Sequence, residues 1–112
     1  LWQKPSMRWL LLCLVACTST ADLKDGKQVY DTVCVTCHGA TGTPDATMVA
    51  KLGVKDLRAP ELRAKITTYM VENQVKHGSQ NKQMPAFAGA LSDVQIKAVA
   101  DYVASSAFLD KH

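Results

Sequence analysis

The sequence predicts a small all-α domain. Three observations point there. Leu91-Ser92-Asp93-Val94-Gln95 reads as a helix start, with Ser92 as N-cap and Gln95 completing a capping box. Gly26, Val29, Tyr30 and Val33 recur at three- and four-residue steps, the period of one helix face. No run of alternating apolar and polar side chains marks a strand, and no repeat or low-complexity segment breaks the pattern. A length of 112 residues sets a limit of one domain, and a small one.

Residues 1–21 read as an export signal that precedes the domain of residues 22–112. Lys4 and Arg8 supply positive charge, and the apolar run from Trp9 to Ala16 is too short to span a membrane. A buried N-terminal helix fits less well, because Cys17-Thr18-Ser19-Thr20 turns polar at once. The precursor starts at Leu1 or at Met7. Two cleavage patterns overlap. Leu14-Val15-Ala16-Cys17 matches a bacterial lipoprotein box, which would acylate Cys17, while Ser19-Thr20-Ala21 suits ordinary signal peptidase. The box is favoured, and it would tether the mature protein to a membrane surface in the periplasm or outside the cell.

With 13 basic and 10 acidic residues the chain carries +3; without Lys4 and Arg8 it keeps 11 basic residues and a net +1. No Lys/Arg run is dense enough for a nucleic-acid patch. Aromatic residues are only 6% of the sequence, so a domain of this size brings little bulk to its own core.

The first helix is expected over Asp22 to Val33, with Asp22 and Asp25 favourable near its positive end. Glycine inside a helix costs about 1 kcal/mol relative to alanine. Gly26 therefore points to the close approach of another helix. Directly after it stands Cys34-Val35-Thr36-Cys37-His38. Two thiols three positions apart, followed by an imidazole, are what covalent haem attachment requires: two thioether bonds and one nitrogen to the iron. Half a zinc site, a dithiol redox pair or a disulfide are the other readings. Zinc lacks further ligands, since Cys13 and Cys17 lie in the signal, and a dithiol enzyme would want a parallel sheet. A haem would also fill the core of so small a domain.

Gly39, Gly42 and Pro44 punctuate a turn-rich connection. Pro60 and Glu61 start a helix carrying Leu62 and Ile66. Thr68 to His77 is helical and stops at Gly78; a break at Thr67-Thr68 leaves one helix or two. The last helix carries Ile96, Val99, Ala100 and Val103 and runs to Ser105 or Ala107, with Leu109 to His112 expected to fray.

A haem held by His38 has one axial position left. Met84 sits in the loop from Gly78 to Ala90, and Pro85 pushes it toward extended backbone, leaving the thioether free to point across the loop. Thioether sulfur is a soft ligand that favours reduced iron. Met48 and Met70 read as core filler. His77, at a helix end, is the competing ligand, and His112 is terminal.

The haem motif with Gly39, the Met84-Pro85-Ala86-Phe87 stretch, Gly26 and Tyr30 on the first helix and Tyr102 on the last together resemble a class I c-type cytochrome, over roughly Leu23 to Ala107. The resemblance implies three to five helices around one covalent haem c, the first and last crossing where Gly26 and Tyr30 meet Val99 and Tyr102. It implies thioethers from Cys34 and Cys37, His38 as proximal ligand to the iron and Met84 as distal one, with the Pro44 carbonyl orienting the His38 ring. No tryptophan lies mid-chain, where many members of the family carry one.

The expected function is one-electron transfer between redox partner proteins, by a monomer rather than an enzyme. Lys51, Lys55, Arg58, Lys76 and Lys82 could orient a partner, although scattered cations are more often a solvated surface. The rival readings are a peroxidase-like haem enzyme using His77 as distal acid/base, and a redox- or gas-sensing haem module with a labile distal ligand.

Overall fold

The structure is a computed structural model that describes residues 22–110; the proposed signal, residues 1–21, and the last two residues lie outside the described part. Its elements are helical, apart from an isolated bridge between Ala88 and Leu91. Residues 26–38 form one continuous helical stretch in three pieces: α1 (Gly26–Val29), a π-helical turn (Tyr30–Cys34) and α2 (Val35–His38). The helix begins later than Asp22 because Asp25 is its N-cap. The Asp25 carboxylate accepts from the Gln28 N–H at 2.8 Å, and the Gln28 side-chain oxygen accepts from the Asp25 N–H at 3.2 Å. It also runs past Val33, ending where Gly39 takes φ +83°.

Next comes α3 (Ala46–Leu52), a helix within the turn-rich connection that the sequence does not announce. Asp45 caps it by accepting from the Met48 N–H at 2.9 Å, and Gly53 ends it at φ +64°. Pro60 occupies the first turn of α4 (Pro60–Arg63), the position where its missing N–H is harmless. The Thr67 hydroxyl accepts from the Met70 N–H at 3.1 Å and so starts a separate helix, α5 (Thr68–His77), stopped by Gly78 at φ +75°. Two helices therefore lie between Pro60 and His77. The predicted capping box opens α6 (Asp93–Ala104), Ser92 and Gln95 exchanging hydrogen bonds of 3.1 and 2.9 Å.

After α6 the described chain stays folded through Leu109. Ser105 turns extended and a last turn, α7 (Ser106–Leu109), folds back so that Phe108 is wholly buried. Its ring meets Tyr30 and Tyr102 edge-on at 5.1 and 5.4 Å. Arg63 donates to the Val103 and Ser105 carbonyls at 2.9 and 3.1 Å, satisfying oxygens exposed by the end of α6, and Arg58 Nη2 donates to the Leu109 carbonyl at the end of α7 at 3.0 Å. Of the stretch expected to fray, Leu109 closes α7 and Asp110 follows it in a turn, while Lys111 and His112 lie outside the described residues.

The core is built from Val29, Tyr30, Val75, Leu91, Ile96, Val99, Val103 and Phe108. α6 packs on α1 on one side and α5 on the other. At the α1–α6 crossing Gly26 is buried; a Cβ there would strike the Ala98 carbonyl and come within 2.7 Å of the Tyr102 Cβ. The crossing implied by the sequence is thus present. No helix among the described residues is long and apolar enough to cross a membrane.

Alanine at Gly26 should raise helix propensity by about 1 kcal/mol, yet overpacking of about 1–3 kcal/mol should outweigh it. Denaturant titration of the pigmented protein should show Gly26→Ala with a lower midpoint. Phe108→Ala should lose more, about 3–5 kcal/mol, whereas a dispensable tail would leave the midpoint unchanged.

Candidate haem site

The haem motif spans the junction of the π turn and α2. A π turn adds a residue to one turn of helix, and such bulges recur at functional sites. Here it ends at Cys34; from there the chain is α-helical, so Cys34 and Cys37, three positions apart, sit on one face. Both are half-buried and neither is in a disulfide. Both line a cavity of about 1140 Å³, enclosed mainly by apolar side chains such as Leu52, Leu57, Leu62, Val71, Val75 and Val99.

His38 is the last residue of α2 and lines the same cavity. Burial pushes its imidazole below the ordinary value of 6.5, opposed by a hydrogen bond to the Lys55 carbonyl. The ring is therefore neutral at pH 7. A carbonyl can only accept, so at the 3.1 Å contact Nδ1 carries the proton and donates. Nε2 keeps its lone pair, which is what a metal requires.

The resemblance assigns that acceptor to Pro44, and the structure corrects it. α3 intervenes, and it is the chain returning from α3, 17 residues beyond His38, that brings a carbonyl to the ring. The turn after His38 is anchored from the core. The Tyr30 hydroxyl donates to the Gly39 carbonyl at 2.6 Å, and burial, followed by the neighbouring Cys34, pushes its phenol above the ordinary value of 10.

Met84 is half-buried, packs against the core cluster and lines the cavity. Its loop is closed by its own backbone. The Ser79 N–H donates to the Met84 carbonyl and the Met84 N–H donates to the Ser79 hydroxyl, both at 3.0 Å. Past the proline, the Phe87 N–H donates to the Val75 carbonyl of α5 at 2.9 Å. Gly78 makes room for this, since a Cβ there would lie 2.6 Å from the Met84 carbonyl.

His77 also borders the cavity but is exposed at the end of α5. Met70 is not core filler. It is 40% exposed and on the cavity wall, while Met48 is half-buried. Lys55 and Ser79 were missed by sequence reasoning. Lys55 acts through its carbonyl, which no side chain reports; a serine five residues before Met84 was a weak signal at best.

The donor set fits a haem. Two thiols, a neutral imidazole with a free lone pair and a soft thioether all reach one apolar cavity. Among the described residues no three His, Cys, Asp or Glu side chains converge as a zinc site would require.

Comparison with known proteins agrees. The family described as cytochrome C oxidase, cbb3-type, subunit III matches residues 21–103. Cytochrome c6 of Thermosynechococcus vestitus is 37% identical over 98 residues, covering 88% of this chain and 82% of that protein. Cytochrome c6 of Tetradesmus obliquus is 35% identical over 95 residues, covering 82% of this chain and 99% of that one. The solved KustC0563 c-type cytochrome superposes with a TM-score of 0.64 at 28% identity, covering 72% of this chain and 95% of that chain. With the cavity, the motif and these likenesses together, the chain belongs to the monohaem c-type cytochromes and is an electron carrier with one covalent haem c, not an enzyme.

Proposed function

We propose that Cys34 and Cys37 would form the two thioether bonds to the haem, that His38 Nε2 and the Met84 sulfur would hold its iron, and that the protein works outside the cytoplasm. What supports the reading is one observation: all four side chains, drawn from the end of the π turn, from α2 and from a loop some fifty positions later in the chain, line the same cavity. The bound haem supplies a metal that changes charge by one electron. The chain does the rest. His38 stays neutral and pointed by its Nδ1 hydrogen bond, so it can donate in both oxidation states. The Ser79–Met84 hydrogen bonds hold the thioether in one place, limiting reorganisation when the charge changes. The mainly apolar walls suit the face of a porphyrin, and a thioether favours the reduced metal more than a second histidine would.

If His38 and Met84 both hold the iron, little room would be left for a substrate or gas at the metal, which favours a carrier over a peroxidase or sensor. Export follows from the signal at residues 1–21, with Cys17 as the lipidated anchor of a monomer. Lys51, Lys55 and Lys82 are exposed and available to orient a redox partner. Arg58 is not, because its guanidinium is engaged by the Thr41 and Leu109 carbonyls.

A redox-titrated visible spectrum of the native protein is the direct test. Met84→Ala should change the reduced spectrum, lower the midpoint potential and admit carbon monoxide to a ferrous protein that otherwise binds none within the mixing time. His77→Ala should leave all three as they were; the reverse pattern would make His77 the ligand. The Cys34→Ser/Cys37→Ser double variant should lose its pigment to acid-acetone extraction. It should also lose near-ultraviolet circular dichroism. Without the haem, the apolar cavity walls lose their packing partner.

A further inference from the structure

We infer that Asp56 and Thr43 form a latch that sets how strongly His38 donates to the iron, which makes both of them positioning residues for electron transfer. This holds only if His38 is the proximal ligand, as proposed above. The Nδ1–H of His38 is satisfied by a single backbone oxygen, that of Lys55, at 3.1 Å. A metal-bound imidazole becomes a stronger donor as its remote N–H is bonded more strongly. Whatever fixes the Lys55 carbonyl therefore acts on the metal.

Lys55 lies in an irregular segment between α3 and α4, with no helix to hold it. Asp56, the next residue, organises the segment. Its Oδ1 accepts from the Arg58 N–H at 2.9 Å, an Asx-type turn, and from the Thr43 hydroxyl at 3.2 Å. Thr43 belongs to the turn that follows His38 itself, where a Cβ on Gly39 would be 3.0 Å from the Thr43 carbonyl carbon. The carboxylate thus ties the acceptor's segment to the turn that carries the donor. One backbone bond runs in parallel, from the Leu57 N–H to the Gly42 carbonyl at 2.9 Å. That bond sets the approach of the two segments, and the latch sets the direction in which the Lys55 carbonyl points. Asp56 also borders the haem cavity, so its charge must be separated from its hydrogen bonds in any test.

Four variants of the haem-loaded protein make that separation. Asp56→Asn keeps an acceptor oxygen and drops the charge; Asp56→Ala drops both. Thr43→Ser keeps the donor and Thr43→Val loses it at an exposed position where folding is not at risk. The readouts are the midpoint potential and, by NMR of the ferrous protein, the exchange rate of the His38 ring N–H with solvent. Losing a hydrogen bond of ordinary net strength should speed that exchange roughly three- to tenfold in Asp56→Ala and Thr43→Val. Asp56→Asn and Thr43→Ser should stay within about twofold of the parent.

At equal charge, the potential of Asp56→Ala should lie above that of Asp56→Asn, because a weaker donor stabilises the ferric state less. Thr43→Val should lie above Thr43→Ser for the same reason. Equal exchange and equal potential within both pairs would overturn the latch while leaving the haem ligation intact. A parent protein whose His38 ring protons show no paramagnetic shift on oxidation would overturn the ligation and the latch with it.

Discussion

The close crossing of α1 and α6 at Gly26 is the contact on which the rest of the molecule hangs. Two helices come this near only where one of them has no side chain, and the carbonyl of Ala98 and the Cβ of Tyr102 occupy the space a Cβ would need. One turn further along, the crossing places Tyr30 beneath Tyr102 and Phe108, the rings meeting edge-on at 6.2 and 5.1 Å. Tyr30 is wholly buried, yet its hydroxyl reaches the Gly39 carbonyl, the first residue past the haem motif. A hydrogen bond of 2.6 Å thus transmits the position of the helix pair to the turn that carries His38. Gly42 is under similar constraint, because a Cβ there would be 2.6 Å from the Phe108 ring.

The two sides of the site are held by different means. On the His38 side the ring's partner comes from a segment without regular structure, stitched to the haem-motif turn by Asp56, Thr43 and Arg58. On the Met84 side the loop closes on itself through Ser79 and is pinned to α5 through Phe87. Lys82, at φ +63°, is the only described non-glycine residue in left-handed backbone, two positions before the thioether. A loop that turns so tightly has few ways to move its methionine without breaking several bonds at once. For an electron carrier that rigidity matters, since any rearrangement between oxidation states adds to the barrier for transfer.

Much of this was legible from residue types, and the failures have physical reasons. The capping box at Ser92 and Gln95, the helix start at Pro60 and the stop at Gly78 are local signals, written in two to four neighbouring residues, and each stands where it was expected. The haem motif is equally local. Beyond the crossing that Gly26 announced, tertiary decisions were not legible. The burial of Phe108 depends on a pocket made by Tyr30 and Tyr102, distant in sequence from each other. The choice of Lys55 over Pro44 as the acceptor depends on how far α3 carries the chain before it returns. α3 itself was hidden because it buries no residue fully and therefore shows no clear apolar face; only Asp45 before it and Gly53 after it mark its ends.

The two arginines show how the sign of a residue's charge can mislead when its surroundings are unknown. In sequence Arg58 resembles a solvated cation suited to a partner surface. In the structure Arg58 and Arg63 are half-buried, and their guanidinium groups donate to the backbone carbonyls of Thr41, Leu109, Leu57, Val103 and Ser105. Burial, with Arg58 nearby, pushes the Arg63 guanidinium below its ordinary value, which for arginine still leaves it charged. The compensation is the C-terminal end of α6, whose carbonyls carry partial negative charge and have no helical partner. The Arg63 guanidinium also stands 5.6 Å from the centre of the Phe108 ring, a second weak attraction for the same cation. The cations therefore hold the last turn against the aromatic cluster, and through Gly42 and Gly39 against the haem motif, so Arg58, which looked like surface steering, belongs with Arg63 to the scaffold of the site.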